Sequence, residues 1–126
     1  MQPGMPQGFG VVGPDQTPIL TLPGNPVSAF VSFWLFGRPA LDALQGLAPR
    51  LQPARRAELT NPVRSPPGRR SFLRGVLGPD GATVTPLTGQ GSHQLGALAR
   101  ANALIVVPEQ MASMAAGDVA DVISLP

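Results

Sequence analysis

Between Leu22 and Ser28 the chain reads Leu-Pro-Gly-Asn-Pro-Val-Ser, a set of residue types suited to holding an anion on backbone N–H groups. Gly24 is free to take a positive φ and, having no Cβ, lets a ligand approach the main chain. Asn25 is a favoured N-cap, Pro26 fits the first helical position, and Ser28 falls in the first turn. Such a turn leaves N–H groups unpaired at the positive end of a helix dipole, where phosphate and other oxyanions bind. The same residues serve equally as an ordinary strand-to-helix connection. The segment Gly89-Gln90-Gly91-Ser92-His93 repeats the pattern as a glycine-flanked loop opening onto a helix and is a second anion candidate, which serves equally as an ordinary loop with a capping serine.

The remaining titratable residues narrow the chemistry. His93 is the sole histidine, and without carboxylate partners it suits a structural hydrogen bond better than a metal site. The acidic residues Asp15, Asp42, Glu58, Asp80, Glu109, Asp118 and Asp121 are scattered, mostly in turn-like or surface contexts, and suggest no paired-carboxylate site. Arg55, Arg56, Arg64, Arg69, Arg70 and Arg74 face only Glu58 within their segment and predict a basic patch. That patch serves either as a solvated barrel edge that discourages strand pairing or as a phosphate-recognition surface. Nucleic acid fits less well, because few aromatics interleave with the arginines. The pI near 11.1 overstates the charge: the formal net charge is +2, and all basic residues are arginine.

Ordinary elements must position these groups. Met1 to Gly13 is Gly- and Pro-rich and reads as loop with at most one edge strand. Ile19–Leu22 reads as a buried strand, and 26–44 as a helix kinked near Gly37-Arg38-Pro39, where Pro39 removes a hydrogen bond, with Gly46 as its C-cap. Val27 to Phe36 shows no polar face and predicts a helix buried all round, which the short preceding sequence cannot cover, so an upstream domain or a subunit interface is expected. Past Leu47 the pattern becomes short strands over 55–63, 70–77, 82–87, 103–107 and 119–125, with a Pro79-Asp80-Gly81 hairpin, which favours a small barrel or sandwich. One short helix over 92–101, capped by Ser92, should pack Leu95 and Leu98 on it.

At 126 residues the chain holds one domain or a small domain plus part of another. It has no cysteine, hence no disulfide and no thiolate metal site, in keeping with a reducing compartment. Its beginning has no signal-peptide pattern, and its longest apolar run is well short of the roughly 20 residues a bilayer requires. A soluble cytoplasmic protein, with no membrane and no nucleic-acid partner, is expected.

Taken together, Leu22 to Phe30, then Arg38-Pro39-Ala40-Leu41 and Leu44-Gln45-Gly46, then Ser65 to Leu77, Gln90-Gly91-Ser92-His93, Ala101 to Glu109 and Ala116-Gly117-Asp118-Val119 resemble, in order, the end of the molybdopterin molybdenumtransferase family, the MoeA family that includes the gephyrin E domain. The resemblance implies an α/β remnant, the strand-turn-helix end of a molybdopterin-binding α/β domain, over 1–48, a linker over 49–53, and a small all-β barrel-like C-terminal domain with one short helix over 54–126. It implies that the chain is a C-terminal fragment of a protein about three times as long. By the same resemblance, Pro23, Gly24, Asn25, Pro26 and Ser28 belong to the substrate cleft, and Arg74 and Ser92 face it from the C-terminal domain. The family reaction inserts molybdate into adenylated molybdopterin with release of AMP, supported by magnesium whose carboxylate ligands lie outside this sequence. Gln2 and Met5 stand where the family has lysines, which puts their oxyanion contacts in doubt. A homodimer is implied for the full-length protein, and the fragment alone should not catalyse. A non-catalytic binding or scaffold module is the competing reading.

Overall fold

The computed structural model describes residues 1–49 and 55–126, so most of the expected 49–53 linker lies outside the described residues. The first unit opens with an antiparallel hairpin, β1 (Gly8–Val12) and β2 (Thr17–Thr21), registered from Gly8 opposite Thr21 to Val12 opposite Thr17. Both strands are largely exposed, with Phe9 at 73%; β1 is the single edge strand the sequence allowed, whereas Ile19–Leu22, expected to be buried, is not, because β2 pairs only with β1. Pro18 is accommodated because a two-stranded ribbon leaves one edge of each strand without ladder bonds to make.

After the Leu22–Asn25 turn comes α1 (Pro26–Ser32), with Asn25 in extended conformation at the N-cap position and Pro26 at the helix start, as the sequence predicts. The expected kink takes a specific form. A π turn, Phe33–Gly37, joins α1 to α2 (Arg38–Leu44), with the Arg38 N–H donating to the Phe33 carbonyl, so Pro39 enters the second helix without breaking the chain's helical path. Gly37 lets the Phe33 ring lie close, since a Cβ there would sit 2.6 Å from the ring and force it to shift. Gly46, at φ 73°, ends α2 as predicted, and the Leu47 N–H reaches back to the Asp42 carbonyl.

The second unit comprises β3 (Arg55–Leu59), β4 (Val63–Arg64), β5 (Ser71–Leu77), β6 (Thr83–Pro86), α3 (Leu95–Arg100), β7 (Ala103–Val107), β8 (Ser113–Met114) and β9 (Val119–Ser124). Five of these strands close a barrel in the order β3-β6-β5-β7-β9, with β3 and β6 parallel and the other pairs antiparallel, while β4 and β8 form a separate two-stranded ribbon. The expected strand over 55–63 is split at Asn61-Pro62, where proline cannot donate to a ladder. The Gly78–Thr83 turn, with the Asp80 carboxylate accepting from the Ala82 N–H, is the predicted hairpin. The fold is therefore a short strand-helix region followed by a small closed mixed barrel, as the sequence reading holds.

Alternation along the strands builds two cores. Ala103, Ile105 and Val107 of β7 point into the barrel with Leu59, Val84 and Val122. Phe72, Leu104 and Ile123 lie in a second cluster outside it, and onto them pack Val27, Val31 and Trp34. The helix is thus not buried all round. The barrel wall covers one stripe, Val27, Val31 and Trp34, while Phe33 and Phe36 remain 40% and 44% exposed. Burying Val27 and Val31 fully contributes about 1.5–3 kcal/mol each, enough to make this stripe the joint between the units. Phe30 stacks on Trp34 at 6.2 Å between centroids, and Arg38 lies over the indole at 4.4 Å. No helix among the described residues is long and apolar enough to cross a membrane.

Candidate functional site

A cleft of about 230 Å³ opens where the first residues, the start of α1 and the loop before α3 meet. Its walls are Met1 to Met5 on one side, Asn25 and Ser28 on a second, and Gln90, Gly91 and Ser92 on a third, with Arg69 at its edge. The opening residues are held by backbone pairing. The Gln2 N–H donates to the Arg70 carbonyl at 2.9 Å and the Phe72 N–H to the Gln2 carbonyl at 2.8 Å, so Gln2 runs parallel to the start of β5. The Ser32 hydroxyl donates to the Gly4 carbonyl.

Of the residues singled out in the sequence, Asn25, Ser28 and Ser92 line this cleft together. Pro23 is buried behind the turn, while Gly24 and Pro26 are exposed outside the cleft wall. Gly24 does not have the positive φ its type allows, and nothing lies within 4 Å of where its Cβ would be, so neither strain nor close approach requires glycine there. The Asn25 side chain does not cap α1. Its Nδ2 donates to the Ser92 Oγ at 3.1 Å, and the Val27 N–H donates to the Ser92 carbonyl at 3.3 Å. These two bonds join residues far apart in sequence and draw the start of α1 onto the second loop.

They also explain two departures beyond the loop. Ser92, engaged by Asn25 and Val27, does not cap the next helix; the chain first turns, with the Gln94 N–H on the Gly91 carbonyl, and α3 starts at Leu95 after Gln94. The later start turns Leu95 outward, 53% exposed, and leaves Leu98 against the outer cluster and Ala97 buried. His93 is exposed, and its ring makes no hydrogen bond among the described residues.

Arg74 departs furthest from the expected basic patch: its side chain is entirely buried. It lies on the outer face of β5, the face that also carries Phe72, and sits behind the loop that walls the cleft. Its Nη2 donates to the carbonyls of Gly89 at 2.9 Å and Gly91 at 3.1 Å, while Nε and Nη1 have no partner among the described residues. Burial pushes its guanidinium below the ordinary arginine value. Gln90 completes the clamp. Its Oε1 accepts from the Arg74 N–H, and its Nε2 donates to the carbonyls of Arg74 and Leu87.

The other arginines are also divided. Arg70 donates to Glu109 at 3.0 Å, and Arg56 stands 4.0 Å from Asp121, both at the surface where such pairs contribute little. Glu109 is held below the ordinary carboxylate range by a hydrogen bond at its own backbone and then by Arg70. Asp42 is buried rather than on the surface. Among the described residues no group of three or more His, Asp or Glu stands together as a metal site. Gln90 and Arg69, which the sequence offered only as parts of the second anion-candidate loop and of the basic patch, both line the cleft.

With this geometry established, the likeness to known proteins becomes specific. The family described as the MoeA C-terminal region (domain IV) matches residues 56–125. Molybdopterin molybdenumtransferase 2 of Mycobacterium tuberculosis (strain ATCC 25618 / H37Rv) is 50% identical over 117 residues, covering 93% of this chain and 28% of that protein. Molybdopterin molybdenumtransferase 1 of the same strain is 39% identical over 132 residues, covering 97% of this chain and 30% of the relative. The MoeA protein of Pyrococcus horikoshii OT3 superposes with a TM-score of 0.79 at 26% identity, over 98% of this chain and 30% of that one. A molybdenum cofactor biosynthesis protein from Pyrococcus furiosus does so with a TM-score of 0.79 at 30% identity, over 98% of this chain and 42% of that one. The chain thus spans about three tenths of the length of the curated relatives it matches. It belongs to the MoeA family, whose C-terminal region is its barrel.

Proposed function

We propose that this chain acts in molybdenum cofactor biosynthesis as the C-terminal part of a molybdopterin molybdenumtransferase, forming one wall of the cleft in which molybdate is inserted into adenylated molybdopterin with release of AMP. The observation that carries the reading is the convergence of Asn25, Ser28 and Ser92 on one cleft whose walls, among the described residues, contain no acidic side chain. Hydroxyl and amide donors in a partly enclosed, carboxylate-free site favour an oxyanion, because each adds a hydrogen bond to the charged ligand without adding repulsion. Arg74 and Gln90 act through the loop: by fixing the carbonyls of Gly89 and Gly91 and the backbone around Leu87, they hold Ser92 where it meets Asn25.

Magnesium, which the family implies, requires oxygen ligands, chiefly carboxylates. The cleft's described lining offers neutral donors and one guanidinium, a set that does not fit this ion, so the chain's own residues do not hold it. Catalysis then needs the remainder of a full-length protein, and we propose that this protein is a cytoplasmic homodimer.

The test is calorimetric titration of the chain with AMP and molybdate, alone and after mixing with a separately expressed upstream segment of a relative. Binding that is gained or strengthened in the mixture is the expected result. No heat of binding in either case rejects the cleft reading and favours a non-catalytic scaffold role.

A further inference from the structure

We draw no further inference here: the strongest candidate, the apolar groove between the β1–β2 hairpin and the helix from the π turn into α2, lined by Phe9, Leu20, Leu35 and Phe36, is an unpartnered face, and nothing in the structure shows what covers it.

Discussion

Replacing Arg74 with methionine separates what this buried cation does for the fold from what it does for the cleft. Two hydrogen bonds from a charged donor to the Gly89 and Gly91 carbonyls are lost, each contributing about 1.5–3 kcal/mol, or roughly 3–6 kcal/mol together. Against this, Nε and Nη1 are buried without partners. Relieving two such groups returns roughly 1–3 kcal/mol each, about 2–6 kcal/mol in all, before the wider cost of burying a charge is counted. Gly89 and Gly91 are only half-buried, so water can take over as their donor. The opposing sums nearly cancel, and methionine fills most of the space on the outer face of β5. R74M should therefore leave the urea-unfolding free energy within about 1 kcal/mol of the parent. The Gln90 amide still holds the main chain of residues 74 and 87, but water does not tie Gly89 and Gly91 to the barrel as the guanidinium does, and amide hydrogen exchange at Gly91 and Ser92 should quicken by roughly tenfold or more as local opening becomes easier. A loss above about 3 kcal/mol in global stability would show that Arg74 holds the barrel rather than the loop. Unchanged exchange at Ser92 would refute the clamp outright.

Other substitutions test the neighbouring steps. G75A places a Cβ 2.9 Å from Ile105 Cδ1 and 3.0 Å from Val84 Cγ2 inside the barrel; overpacking should cost about 1–3 kcal/mol by urea unfolding, slightly reduced by the lower chain entropy of alanine. Because Asn25 bonds Ser92 and not its own helix, N25A and S92A should be non-additive, with a double-mutant coupling of about 0.5–1.5 kcal/mol; independent effects would mean that Asn25 caps α1 after all. The folded state depresses the Glu109 pKa below its unfolded value, through its backbone hydrogen bond and then Arg70. That contribution is present above the ordinary glutamate range and is lost as pH falls through the lowered value, so E109Q should flatten the acid limb of a stability-pH profile, and an unaltered limb would dismiss the pair as a contributor.

What was legible in the sequence, and what was not, follows the range of the interactions. Pro26 at a helix start, Gly46 at a helix end and the Pro79–Gly81 hairpin are decided by a few adjacent residues, and the structure has all of them. The strand set of the barrel was legible for the same reason, apart from the break that Pro62 imposes between β3 and β4. The π turn lay between these cases: Pro39 announced a disturbance, but the sequence did not say that the helix would widen over Phe33–Gly37 instead of ending. Arg74 was not legible, because an arginine on an outward-facing strand position reads as solvent-exposed until a loop some fifteen residues later folds over it. Ser28 and Ser32 were misleading in the opposite sense, since they interrupt an apolar run yet are buried, Ser32 against Gly4 and Ser28 in the cleft wall. The Ser32 hydroxyl satisfies the Gly4 carbonyl. The candidate site is therefore written in pairs of distant residues. Asn25 and Ser92 look like two separate helix caps, and only when the barrel wall presses α1 against the loop before α3 do they become two donors of one cleft, with Arg69 set beside them by a third segment. A site assembled this way fails as a unit when the stripe between α1 and the barrel is disturbed, so V31A, far from any ligand, should weaken anion binding along with stability, whereas a site built on either turn alone would keep its affinity.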